Sequence, residues 1–599
     1  MLNETKKYIV KNFENFAFFY NHLKYKVIII VLLSIAVGLL DGLGLTMFLP
    51  LLQLVSTSQE VTTDGLGKLD FIVIFLRNMG FELNLLVVLL TMTLFFILKG
   101  FAIFFQSYYQ VVVQQFFIRK IRIENINDLN NIGYQYFMQA DIGQIQNTLT
   151  GEVEKVIRAF AFYFVAFQQL IMVFVYMGFA FFVDSQFAIL VSLGGILTNV
   201  IFRSFYNKTK VASIKLTEES NQFQGLIIQH VQHYKYLKAT GFVKNYGKKL
   251  IEKVDLIQAE AKKIGVLASI LKGLREPLLI LVVSTVILIQ AEVLGSDLGP
   301  ILISLLFFYR ALVAVMGAQS AWNTFLGSSG SLYNLKNFSK SLRNNIETKQ
   351  KSKEFLFENS ISLKNVNVVI GKTKILSDIN IKISKNKAIA FVGESGSGKT
   401  TLINVLSGLL QPESGEISVD GVIYDNLNMS VYHKKIGYIT QESVIFNDTI
   451  YNNVTLWAKK TESNLKRFEK AMKDASLSEF LQSTPQGREN LLGNNGVNLS
   501  GGQRQRISIA RELFKKIEIL ILDEATSALD SETEKEIQKN IDALKGKYTV
   551  LIVAHRLSTI KNVDIIFYLN KGRVVSHGTF EELTKEVKEF NNLVKSQKI

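Results

Sequence analysis

The 599-residue chain contains no cysteine, which excludes disulfides, thiolate metal sites and cysteine-protease chemistry. Proline is scarce, at five residues, so long stretches carry few helix breakers. The start, Met1-Leu-Asn-Glu-Thr-Lys-Lys, lacks a compact apolar core with a small-residue cleavage site. No secretory signal peptide is expected. Internal repeats of the N-terminal half and low-complexity tracts are absent as well. What abounds is apolar: 48% of residues are hydrophobic and mean hydropathy is +0.22, high for a soluble protein of this size. The length suggests two or more domains. The net charge of +16 fits basic cytoplasmic loops better than a nucleic-acid partner, and none is expected.

Six apolar stretches before residue 330 are each long enough for the about 20 residues that a membrane span needs. They run roughly Val27–Val55, Asn84–Gln106, Phe160–Val183, Phe187–Phe205, Lys272–Val293 and Gly299–Gln319. Residues 1–25, mixing Phe, Tyr and Leu with Lys, Glu and Asn, are expected to form an amphipathic helix at the interface. Lysines and arginines concentrate between spans two and three (Arg119, Lys120, Arg122, Lys155, Arg158) and between spans four and five (Lys208 to Lys253). Both segments, the N-terminus and the C-terminal half are therefore expected on the cytoplasmic side. These segments have helical periodicity and should prolong the membrane helices. The Lys- and Ser-containing stretch 336–353 is expected to be a linker, between a membrane domain over 26–335 and a C-terminal domain over 354–599.

The C-terminal half opens on an apolar strand, Ala388–Val392, followed by Gly393-x4-Gly398-Lys399-Thr400 and a helical run, Thr401–Leu410. This is a phosphate-binding P-loop: its glycines let backbone N–H groups face a polyphosphate at a helix N-terminus. Gly393, Ser395, Gly396, Gly398, Lys399, Thr400 and Thr401 are its candidate nucleotide ligands, with Lys399 on the β and γ phosphates and Thr400 on Mg²⁺. A second apolar strand ends in Asp523-Glu524. Asp523 suits a Mg²⁺ role and Glu524 suits polarising the attacking water.

Between them stands Leu499-Ser500-Gly501-Gly502-Gln503, which resembles the signature of ABC-transporter ATPase domains. Gln441 in Tyr438-Ile-Thr-Gln-Glu442 resembles the Q-loop, Ser527-Ala-Leu-Asp530 the D-loop and His555 the switch histidine. The resemblance covers about residues 355–595. It implies ATP and Mg²⁺ as cofactors. Glu524, His555 and Gln441 take catalytic roles, Gln441 and Asp523 lie near the metal, and Ser500, Gly501, Gly502, Gln503 and Asp530 are nucleotide ligands across a dimer. Two departures stand out. Val368 and Ile370 occupy positions where the family places an adenine-stacking aromatic, which leaves Ile370 only apolar contact and base selectivity open. Gly493-Asn494-Asn495-Gly496 lacks the carboxylate common before the signature in exporters, which leaves one coupling contact open.

Tyr136–Gly143 and Leu149–Glu154 are similar to the first intracellular loop of ABC exporters. The expected fold is an all-α six-helix transmembrane domain fused to an α/β P-loop ATPase domain. A single P-loop and a single signature imply a homodimer, with a heterodimer as the alternative, in a bacterial cytoplasmic membrane. Asp41, Lys99, Gln106 and Arg310 lie within or near the spans, where charge is costly. They are candidates for a polar cavity taking an amphipathic, anionic substrate; the alternative is a structural Asp41–Arg310 pair with Lys99 snorkelling. The amphipathic stretch Lys68–Arg77 after Asp41–Pro50 is similar to flippases of lipid-linked oligosaccharides. A multidrug or lipid exporter, a peptide exporter and an ATP-gated channel or regulator are the alternatives.

Overall fold

The structure is a computed structural model. It describes residues 14–48, 50–51, 54, 71–80, 84–183, 185–289, 292, 298–347, 357–523, 539, 542–554 and 556–596. The chain divides into two compact units, Met1–Ile132 with Gln139–Ile346, and Gly133–Met138 with Glu347–Ile599.

The first unit is helical. Its long helices are α1 (Tyr25–Thr46), α2 (Leu85–Leu129), α3 (Gly151–Val183), α4 (Ser185–Gln232), α5 (Val243–Leu288) and α6 (Leu298–Gly327). Each overlaps one of the six apolar stretches expected as spans. Among the described residues, three (Tyr25–Thr46, Leu85–Leu129 and Gly151–Phe182) are long and apolar enough to cross a membrane. Helices α2, α4 and α5 have 45, 48 and 46 residues. At 1.5 Å per residue each is about 70 Å long, more than twice the hydrocarbon core of a bilayer. The basic segments thus continue the spans as expected. A short helix, Phe71–Asn78, stands between α1 and α2 and overlaps the stretch Lys68–Arg77 read as amphipathic.

Residues 14–23 are helical. Phe19 is fully buried and meets Phe117, Phe160 and Phe164 with ring centroids 5.5, 5.5 and 5.8 Å apart. Aromatic edge contacts of this kind tie the segment to α2 and α3.

The helix α7 (Ser329–Asn344) corrects the expected linker: residues 336–344 are helical, and residues 348–356 lie outside the described set. Leu335, Phe338 and Leu342 recur at helical spacing and are buried. The intervening Lys and Ser hid that pattern. Polar bonds hold α7 as well. Asn334 Nδ2 donates to Thr148 Oγ1 at 2.9 Å, and Gln144 Nε2 donates to Asn334 Oδ1 at 3.1 Å. A β-carbon at Gly330 would lie 2.2 Å from the Ser213 carbonyl oxygen, so α7 meets α4 through bare backbone.

The second unit is α/β. A six-stranded sheet has the order β10-β9-β3-β8-β7-β6. Its members are β3 (Ala388–Gly393), β6 (Ile436–Ile439), β7 (Ile519–Asp523), β8 (Thr549–Val553), β9 (Ile565–Asn570) and β10 (Arg573–Gly578). The β9–β3–β8–β7–β6 pairings are parallel and β10 is an antiparallel edge. A four-stranded antiparallel sheet is formed by β1 (Ser360–Ile370), β2 (Thr373–Ser384), β4 (Ser414–Val419) and β5 (Val422–Ile423). Ile389 and Phe391 of β3 enter one core cluster, while Ala388, Ala390 and Val392 enter another. A strand covered on both faces reads as an unbroken apolar run, which is why β3 was legible.

Gly330→Ala is expected to destabilise the first unit by about 1–3 kcal/mol through overpacking. Gly273→Ala in α5, where an added β-carbon meets nothing within 4 Å, should be neutral or stabilising by up to about 1 kcal/mol. Thermal melts of the two purified variants check the contrast.

Candidate functional site

Strands β3, β8 and β7 are neighbours, in register through Phe391↔Val553 and Val553↔Asp523. Their carboxyl ends therefore converge at one edge of the sheet, the usual place for ligands in open parallel sheets. From β3 the chain enters the P-loop. At the end of β7 stands Asp523. Beyond β8 it reaches Ala554 and then position 555. Glu524, Asp530 and His555 lie outside the described residues, so the structure places only the strands that lead to the first and last of them.

The P-loop runs from Gly393 into α8 (Lys399–Leu406), whose N-cap is Gly398. Gly398 has φ 97°, and a β-carbon there would lie 2.7 Å from Leu376 Cδ2, so both backbone and packing demand glycine. Lys399 is 5% exposed. Its Nζ donates to the carbonyl oxygens of Gly393 and Glu394, each at 2.9 Å, which holds the ammonium across the loop. Ser395, Gly396 and Thr400 are exposed, and Thr401 is half-buried. The Ser397 hydroxyl is buried without a hydrogen-bond partner among the described residues. It belongs to the site, and the sequence reading passed over it although it lies inside the motif.

Asp523 is half-buried and accepts a hydrogen bond on Oδ2 from the Tyr438 hydroxyl at 3.2 Å. Burial, then the nearby carboxylate, pushes the Tyr438 phenol above its ordinary range. Tyr438 was quoted only as part of the Q-loop match, and its role as a partner of Asp523 was missed. Gln441, three residues on, is exposed. The hydroxyl of Thr400 and the carboxylate of Asp523 are hard oxygen donors, a set that suits Mg²⁺. Ile370 ends β1 opposite Thr373 and is half-buried against the core.

Ser500 caps α9 (Gly501–Phe514) in a reciprocal capping box. Its Oγ accepts from Gln503 N at 3.2 Å, and Gln503 Oε1 accepts from Ser500 N at 2.9 Å. Arg504 donates to the Leu499 carbonyl at 2.7 Å, fixing the turn before the cap. A β-carbon on exposed Gly501 would meet nothing within 4 Å. The fold itself therefore does not require glycine there, unlike at Gly398. Gly502 is half-buried.

In the helical unit, Lys99 Nζ lies 2.6 Å from Asp41 Oδ1, and the Tyr176 hydroxyl donates to Asp41 Oδ2. Asp41 is 1% exposed. The expected alternative of an Asp41–Arg310 pair is thus replaced by Asp41 with Lys99 and Tyr176, and Lys99 turns inward instead of snorkelling. Gln106 Nε2 donates to Ser34 Oγ at 2.8 Å. Arg310 is half-buried, within electrostatic reach of Tyr176. The structure brings Asp41 and Lys99 together and gives Gln106 a separate partner.

Two family models match: "ABC transporter transmembrane region" over residues 27–320 and "ABC transporter" over 376–527. An ATP-dependent lipid A-core flippase of Desulfotalea psychrophila is 43% identical over 242 residues. That match covers 40% of this chain and 42% of the flippase, so the chain spans less than half the length of that relative. The heterocyst differentiation ATP-binding protein HepA of Nostoc is 28% identical over 94% of this chain and 93% of its own. The structure of a bacterial Atm1-family ABC exporter with ATP bound superimposes with a TM-score of 0.79 at 20% identity, covering 96% of this chain and all of that one. With matching motifs and both regions in one polypeptide, the chain belongs to the ABC transporters, a transmembrane region followed by an ATPase region.

Proposed function

We propose that this chain is one half of a dimeric, ATP-driven exporter that moves an amphipathic anionic substrate outward across a bacterial cytoplasmic membrane. The observation that carries the reading is the pair of phosphate-facing surfaces in one ATPase unit. One is the P-loop, with Lys399 braced over its mouth. The other is the capped N-terminus of α9, with open space at Gly501. A helix N-terminus attracts anions. Two copies arranged head to tail would close each P-loop with the other's α9, so that one chain supplies both halves of two equal sites. In that arrangement Ser500 would still have its proton to donate, because its Oγ accepts from Gln503 N.

In this reading the P-loop amides and Lys399 bind the β and γ phosphates. Thr400, Asp523 and Gln441 hold a magnesium ion, which supplies charge neutralisation at the phosphates. Glu524 orients the attacking water and His555 contacts the γ-phosphate. Closing on ATP and reopening after hydrolysis biases the helices between inward and outward access.

The substrate reading rests on Arg310. Asp41 and Lys99 satisfy each other, so of the two cations singled out from the sequence, Arg310 is the one left to face cargo. A phospholipid-like or glycan-diphosphate-linked lipid joins an apolar tail to an anionic head. The lipid A-core flippase relatives lend the lipid class support.

Four outcomes follow. Glu524→Gln should abolish transport into vesicles while ATP still binds; transport at the normal rate removes Glu524 from its role. Gly501→Ala should leave nucleotide binding to the P-loop unchanged and the melting temperature unchanged or slightly raised, yet lower ATP turnover at least tenfold, because only a partner meets that surface. Arg310→Ala should cut lipid-stimulated ATPase more than basal ATPase. Lys99→Met should instead reduce folded yield, since stranding the buried Asp41 carboxylate costs roughly 3–5 kcal/mol.

A further inference from the structure

The Tyr438 hydroxyl and the Asp523 carboxylate are 85 positions apart in sequence. The register of β6 against β7, Tyr438↔Ile521 and Ile439↔Leu522, brings them together. Tyr438 is half-buried against the cluster that includes Phe391, Leu402 and Ile521. The hydroxyl donates to Asp523 Oδ2 at 3.2 Å and leaves Oδ1 to other partners. Tyr134, from the Gly133–Met138 segment of the same unit, packs on this cluster and lies within electrostatic reach of the phenol. A neutral donor on one oxygen fixes the rotation of a carboxylate, and so the direction of its other oxygen, without cancelling its charge.

The geometry points to Tyr438 as a positioning residue of the metal site: its hydroxyl presets the Asp523 carboxylate to receive a divalent cation, without touching cation or nucleotide. The inference rests on the nucleotide-hydrolase reading above. A hydroxyl that served only sheet packing would leave metal affinity alone when removed, because the ring of Tyr438→Phe keeps the packing. A hydroxyl that orients the carboxylate would not. Outer-sphere partners of this kind are worth about tenfold or more in metal affinity.

The test uses the full-length protein in nanodiscs. Mn²⁺ serves as the spectroscopic probe and β,γ-imido-ATP as the nucleotide, with free Mn²⁺ followed by electron paramagnetic resonance. Tyr438→Phe should raise the Mn²⁺ dissociation constant about tenfold. The affinity for a fluorescent ATP analogue in EDTA should stay at the wild-type value. The Mg²⁺ concentration for half-maximal ATPase should rise by a similar factor, with turnover largely restored at saturating Mg²⁺. Tyr134→Phe removes the neighbouring phenol but keeps the Tyr438–Asp523 bond, and should shift neither constant. An unchanged Mn²⁺ constant in Tyr438→Phe overturns the inference. So does an equal loss of metal-free nucleotide binding, or an equal shift in Tyr134→Phe, either of which means general loosening. Failure of the wild type to bind any nucleoside triphosphate sinks the nucleotide-site reading itself and is seen before any variant is made.

Discussion

The chemistry of this chain depends on the parallel register of β3, β8 and β7. A triphosphate with its cation is a dense cluster of charge, and no single segment can meet it. Backbone amides, an ammonium, a hydroxyl and a carboxylate must converge. Here the sheet does that work: Phe391, Val553 and Asp523 are mutually in register, so the P-loop and the metal-type carboxylate leave the sheet at the same edge. A one-residue slip would turn every side chain of a strand to the other face. Both faces are apolar here, but the two clusters differ in shape. Large Ile389 and Phe391 lie on one side of β3, and Ala388, Ala390 and Val392 on the other. Packing thus enforces the register on which the site relies.

The helical unit obeys a different constraint. Inside a bilayer an ionised group needs a partner, since lipid offers none. Asp41 has two, Lys99 and Tyr176, drawn from α2 and α3. Three helices are thereby joined at one buried carboxylate. Ser34–Gln106 and Gln110–Gln168 continue the polar joins along the same helices. Such bonds specify which helix faces which, where apolar packing alone discriminates weakly between rotations of a helix. The apolar side of α2 is left exposed, with Leu86 66%, Leu90 60% and Phe104 61% accessible, as a lipid-facing surface requires.

Local features were legible in the sequence and long-range pairings were not. The P-loop, the Leu499–Gln503 signature and the long apolar helices each follow from neighbours in the chain. Asp41 was legible as a residue needing a partner, but not as a partner of Lys99. That choice depends on the rotation of α1 against α2, which no single-helix pattern states. The Tyr438–Asp523 bond was invisible for the same reason, since it exists only once β6 pairs with β7. The boundary before Lys336 was misread because frequent lysines and serines mask the apolar spacing of the stretch. Its burial rests on Leu335, Phe338 and Leu342, with Asn334 bonded to its neighbours.

Gly398 and Gly501 show how the same residue type answers two different demands. Gly398 is glycine for reasons internal to the chain: a left-handed backbone and Leu376 beside it. Gly501 stands in a helix, where alanine would be favoured by roughly 1 kcal/mol, and nothing in its own chain crowds it. A helix start that forgoes this stabilisation, with its cap already formed by Ser500 and Gln503, is built for close approach from outside. The approaching group must be anionic to gain from the free N–H groups at that end. A phosphate carried on another copy's P-loop meets both conditions. On the proposed reading the single chain carries both a phosphate cradle and its lid, and dimerisation is what would turn the two into one site.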